Sequence, residues 1–124
     1  MMTPEQLDKI GKFLIDELRD FQIDRFDGLV NIPTPFVDYK LREQVRTHFT
    51  QEDLLLIRKI LIYCTDKTLS SLSHHLDKSN NNLNVSICVD DKILSENDPP
   101  LETCIFSDEG WVARFSKHYN EEDI

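Results

Sequence analysis

The chain has 124 residues, 40% of them hydrophobic and 30% charged, with a formal net charge of −9, which fits one soluble domain with a modest core rather than a disordered segment. Arg58-Lys59 interrupt the longest apolar run, so no stretch approaches the roughly 18 residues of a membrane span, and MMTPEQLDK lacks the basic-then-apolar order of a secretory leader; the expected address is cytoplasmic. The charge is uneven: residues 80–124 hold 3 Lys+Arg against 10 Asp+Glu, whereas residues 1–49 hold 7 against 9 and residues 50–79 hold 4 against 4, so the C-terminal third repels nucleic acid and anionic lipid and draws in basic protein.

In chain order, TPEQ predicts a helix start, with Thr3 as N-cap, Pro4 in the first turn and Gln6 closing a capping box. Leu7, Ile10, Leu14, Leu18 and Phe21 then fall on one helical stripe, flanked by Phe13 and Ile15, with Asp8, Lys9, Lys12, Asp16, Arg19 and Asp20 on the other side. Gly28 is a plausible stop. Pro33 and Pro35 call for an extended connector, and a short helix over 37–48 should turn Leu41 and Val45 inward and Arg42, Glu43 and Arg46 outward.

Thr50 is the next cap, with Glu52 and Asp53 in the positive first turn. LLLIRKILIYC is apolar nearly all round, which predicts a helix in the middle of the core. Asp66 or Thr68 then caps a fourth helix with Leu69, Leu72 and Leu76 on one face, ended by Asn80–Asn82. Leu83, Val85, Ile87 and Val89 alternate with polar or small residues, as in a strand with one buried face. Asp90-Asp91-Lys92 reads as a turn and SENDPP as a loop. ETCIF and WVARF read as two further strands joined by SDEG, where Gly110 can take positive φ. The expectation is a single α+β domain over 1–124: about four N-terminal helices (helical part 3–79), packed with a small antiparallel sheet of about three strands (strand part 83–116), and an acidic tail over 119–124.

Cys64, Cys88 and Cys104 form no C-x-x-C pair and are odd in number; each lies in an apolar run and reads as a small buried hydrophobe. Ser73-His74-His75-Asp77 gathers reactive side chains, but helical geometry disperses them. Neighbours at i and i+1 do not face each other, and two histidines converge on a metal at i, i+4 rather than i, i+1. Asp90-Asp91, Asp108-Glu109 and Glu121-Glu122-Asp123 are paired carboxylates in turns or the tail, where solvated acids are ordinary. Three glycines leave no phosphate-cradling loop. No catalytic, cofactor-binding or metal residue is therefore expected, and no cofactor.

The stretch from LLLIRKILIYC to VDDKIL has the outline of a winged helix, yet its recognition position is NNNLNVSICV, without a basic residue, and its wing would be acidic. FTQEDLLLIRKILIYCTDKTLSSLSHHL, about a quarter of the chain, resembles a segment of SocA-like (Panacea) antitoxin domains, in which an acidic-capped helix precedes a Leu-Ser-Thr-His helix. Asparagines stand where that family carries a tryptophan shortly afterwards, and no residue roles transfer.

The expected function is that of a small acidic interaction protein, not an enzyme. It would bind and neutralise a basic protein partner, such as a nuclease-like toxin, in the manner of an immunity protein or antitoxin. Its partner-binding residues would be Asp90, Asp91, Glu96, Asp98, Glu102, Asp108 and Glu109, with Trp111 or Tyr119 as an aromatic anchor, Trp111 reading equally as a core residue. The alternatives are a winged-helix-like regulator meeting DNA through Lys40, Arg42 and Arg46, and a small enzyme whose residues converge only in three dimensions.

Overall fold

The computed structural model describes residues 1–31, 39–77 and 85–119. The first rod of the molecule is α1 (Pro4–Lys12), a π-helical stretch (Phe13–Arg19) and α2 (Asp20–Asn31), joined without a break. Its start is the expected capping box: the Thr3 hydroxyl accepts from the Gln6 backbone N–H at 3.2 Å, and the Gln6 side chain accepts from the Thr3 N–H at 2.9 Å. The helix runs through Gly28 instead of stopping there.

The π stretch re-phases the rod. An α-helix advances about 100° per residue, so Ile10, Ile15, Arg19 and Ile23 would wind more than halfway round it. Wider i→i+5 turns, of which the bond from the Asp20 N–H to the Ile15 carbonyl is one, reduce the rotation and keep these residues toward the core. Ile15, Arg19 and Ile23 are consequently fully buried and Asp20 nearly so, while Phe21, expected on the apolar stripe, is exposed. Arg19 and Asp20 thus belong to the inside, not to the wet face assigned by a uniform 3.6-residue period.

The Pro33/Pro35 connector lies outside the described residues. In α3 (Tyr39–His48) Glu43 and Arg46 are exposed as expected and Val45 is half-buried, but Leu41 and Arg42 depart from expectation: Leu41 is exposed and Arg42 is buried. α4 (Gln51–Leu76) spans 26 residues, about 39 Å. Thr50 and Asp53 form its capping box. The predicted break at Asp66 is absent, because Asp66 is a mid-helix ligand of Arg19 rather than a cap. The turn of a helix-turn-helix is therefore not formed at 65–67. Nor is α4 surrounded: Leu54, Ile62, Leu69 and Ser73 face the core, whereas Leu55, Leu56, Ile60 and Tyr63 face outward. Asn80–Asn82 fall outside the described residues.

Of the expected strand over 83–89, only β1 (Cys88–Val89) pairs, antiparallel with β2 (Lys92–Ile93), in the register Cys88↔Ile93 and Val89↔Lys92; residues 83 and 84 are not described. Asp90 and Asp91 make the turn with φ of 51° and 64°, the type I′ pattern that suits the right-handed twist of a two-residue hairpin. Aspartate tolerates this left-handed region better than most residues.

ETCIF and WVARF are not strands. They form α5 (Leu101–Phe106) and α6 (Trp111–Phe115). Pro100 leads into α5, Glu102 sits in its first turn, and Leu101 and Ile105 bury one face at i, i+4 spacing. Packing of that face outweighs the β-propensity of the β-branched and aromatic residues. Gly110 has φ of −78° as the N-cap of α6; a side chain is barred there by crowding, since a Cβ would lie 2.6 Å from the Cys104 carbonyl oxygen. Among the described residues the architecture is helical with one very small hairpin, not α+β with a three-stranded sheet. Among the described residues no helix is long and apolar enough to cross a membrane.

Met2, Ile10, Leu14, Ile15, Leu69, Leu94, Leu101, Ile105, Trp111 and Val112 form the core. It lies where α1, the π stretch, α4, α5 and α6 meet. The cysteines contribute less than expected: Cys64 and Cys88 are exposed and Cys104 is half-buried. Gly11 lies flat against Trp111, so closely that a Cβ would enter the indole ring, whereas nothing stands within 4 Å of a Cβ on Gly28. Gly11→Ala should therefore cost about 1–3 kcal/mol by overpacking, while Gly28→Ala should stabilise by about 0.4–1 kcal/mol; urea unfolding of the two variants checks the contrast in sign.

Candidate functional site

Arg19, at the end of the π stretch, has no exposed surface. Its guanidinium is bidentate on Asp66 of α4, with Nε 2.6 Å from Oδ1 and Nη2 3.3 Å from Oδ2. Nη1 donates to the Ser116 hydroxyl at 2.9 Å and lies 3.5 Å from Asp20 Oδ1. The Ser116 hydroxyl in turn donates to Asp20 Oδ1 at 2.7 Å, and the Lys117 backbone N–H donates to Asp20 Oδ2 at 2.9 Å. One cation thus joins the long N-terminal rod, α4 and the segment after α6. Burial pushes the Asp66 carboxyl above its ordinary value in spite of Arg19. The outer side of Asp66 borders a shallow concavity of about 290 Å³ that it shares with Tyr63, Lys67, Ser70, Glu102 and Phe106.

A second polar group lies one turn further along α2. Arg58 of α4 is bidentate on Asp27, at 2.8 and 3.1 Å, and its Nη2 also donates to His118 Nδ1 at 3.3 Å. A guanidinium only donates, so Nδ1 accepts and the ring proton on Nε2 is donated to Asp24 Oδ1, 2.8 Å away. Lys117 Nζ stands 2.6 Å from Asp24 Oδ2. Burial would raise the Asp24 carboxyl, but the Lys117 and His118 hydrogen bonds outweigh it and hold it below the usual range. Ligand atoms of Asp24, Asp27 and His118 come within 4.8 Å of one another, a spacing that a divalent cation could bridge. As folded, however, Arg58 and Lys117 already neutralise the two carboxylates, and a metal would have to displace both. The group is a charge-balanced clamp.

The sequence-predicted partner-binding residues divide into two kinds. Asp90 and Asp91 protrude on the hairpin turn, Glu96 on the loop after β2, and Asp108 and Glu109 on the turn between α5 and α6; all are exposed. Asp90 pairs with Lys9 at 2.9 Å. Glu102 is exposed on α5 and accepts from the Ser70 hydroxyl at 2.6 Å. Asp98 and Trp111 are inside. Asp98 accepts from the Met2 backbone N–H at 2.8 Å and from the Ser95 N–H at 2.9 Å, so it fastens the chain start to the loop, and Trp111 is core against Gly11. Neither is available as an anchor for a partner. Of the expected DNA-contacting residues, Arg42 is buried. His74 and His75 are exposed, ring edge to ring face at 5.5 Å, and Ser73 beside them is buried.

The chain matches no protein-family profile, no curated protein and no solved structure. The resemblance of its central segment to antitoxin domains therefore has no independent support.

Sequence reasoning missed the Arg19 group entirely. Its members are scattered over Arg19, Asp20, Asp66 and Ser116, and the only local signal was Asp66 in the middle of an otherwise continuous helical pattern. Asp98 has a checkable consequence. Burial would raise its carboxyl, but the N–H groups of Ser95 and Met2 overcome that and lower it. A lowered carboxyl contributes stability that is present above its unfolded value, near 3.9, and lost as the pH falls through the folded value. Asp98→Asn should therefore be less stable than the parent at pH 6, and the gap should narrow toward pH 2, read by urea unfolding at both pH values.

Proposed function

We propose that the chain is a small protein-binding module whose acidic C-terminal surface covers a basic site on a partner protein, as an immunity protein or antitoxin covers a cationic toxin. The observation that carries this reading is the placing of Asp91, Glu96, Asp108 and Glu109. All four are exposed and have no ion-pair partner among the described residues.

These acids sit on short turns tied to the start of the long rod. The hairpin is held by Lys9–Asp90, the loop by Met2–Asp98, and α6, which follows the Asp108-Glu109 turn, by Arg114 to Asp8 at 2.7 Å. Carboxylates held on a fixed scaffold lose little conformational freedom on binding, and a field of one sign speeds encounter with a cationic partner. Asp90 and Glu102 are each already partly engaged, by Lys9 and by the Ser70 hydroxyl.

A variant carrying Asp91→Asn, Glu96→Gln, Asp108→Asn and Glu109→Gln should keep the parent's melting temperature within a few degrees. A basic protein captured by the untagged parent should be lost by the variant, and capture by the parent should weaken steeply with added salt. Retention of DNA by the parent at low salt, or capture that neither the variant nor salt affects, contradicts the reading.

A further inference from the structure

A second surface lies on α4, where its C-terminal part, at Tyr63 and Lys67, borders the concavity that also holds Glu102. Leu56, Ile60 and Tyr63 are 60%, 53% and 63% exposed. Their spacing of four and three residues lines them up on one stripe, turned away from Leu54, Ile62 and Leu69, which face the core. Single exposed apolar residues are ordinary, but a stripe of large ones is a docking feature.

The same stripe begins with exposed Glu52 and ends with exposed Lys67, whose Nζ rests 5.5 Å from the centre of the Tyr63 ring. The order acid, apolar, base is complementary to itself when reversed. Let a second α4 lie antiparallel, with the two-fold axis between positions 59 and 60. Glu52 then faces Lys67 of the second copy, Leu56 faces its Tyr63, and Ile60 meets its own copy beside the axis. Lys59, on the flank, can carry its ammonium out to water along its four-carbon stem. A parallel pairing would set Glu52 against Glu52 and Lys67 against Lys67. A basic partner would meet Lys59 and Lys67 here, so this stripe is not the surface proposed above for the cationic partner.

We infer that the outer face of α4 is a self-association surface through which two copies pair antiparallel as a two-fold dimer. In such an isologous contact every residue pair occurs twice, so a single charge reversal removes two ion pairs and the compensating reversal restores both.

Sedimentation equilibrium of the full chain tests this, with thermal melts to show that each variant folds. The parent should dimerise reversibly. Glu52→Lys and Lys67→Glu should each raise the dimer dissociation constant about tenfold, from two rim pairs lost, and the double variant should return close to the parent. Leu56→Glu, at an exposed position, should give a monomer, and Tyr63→Glu should do the same. A parent that stays monomeric at all concentrations overturns the inference. So does a dimer indifferent to both Leu56→Glu and Tyr63→Glu, or one that the double charge swap fails to restore.

Discussion

The buried guanidinium of Arg19 is the constraint on which the rest of the structure depends. A fully buried cation is tolerable only when its charge and its donors are met, and here they are met by Asp66, Asp20 and Ser116. Those partners come from α4, from the first residue of α2 and from the segment after α6. Satisfying one side chain therefore fixes three stretches far apart in sequence. The π stretch follows from the same need, because it turns Arg19 and Asp20 inward without giving up Ile10, Ile15 and Ile23 to solvent. The Arg58–Asp27–His118–Asp24–Lys117 group repeats the device one turn further on, with charges balanced across α2, α4 and the segment after α6.

What was legible in the sequence was local. Thr3 and Thr50 announce helix starts because a short hydroxyl side chain can satisfy an orphan N–H from within four residues. Asp90-Asp91 announces a turn because its backbone needs a left-handed conformation that aspartate accepts. What was not legible required partners distant in the chain. Phe21 looked like core and Arg19 like surface only because the period was taken as uniform. Asp66 looked like a cap because aspartate favours helix N-termini over helix interiors. Leu101–Phe106 and Trp111–Phe115 have strand-like composition, yet Leu101, Ile105, Trp111 and Val112 find their burial against α1 and α4 as short helices.

The candidate surfaces show the same division. The acidic bias of the C-terminal third is visible from counting, and most of those acids do stand on the outside. Asp98 and Trp111 were drawn into the list by composition and are taken by the fold: one ties Met2 to the loop, and the other packs on Gly11. The stripe on α4 escaped notice for the opposite reason. A helix apolar all round suggests burial on every side, and only the three-dimensional arrangement leaves Leu56, Ile60 and Tyr63 uncovered.

The most direct measurement is a double-mutant cycle in urea on Arg19→Met and Asp66→Asn. If Arg19 organises the fold, Arg19→Met alone leaves Asp20 buried and Asp66 half-buried without their counter-charge and costs about 3–5 kcal/mol. Asp66→Asn in that background should then add much less than it does alone, because the two residues act as one unit. An Arg19→Met variant within about 1 kcal/mol of the parent, with costs that simply add, would contradict the account.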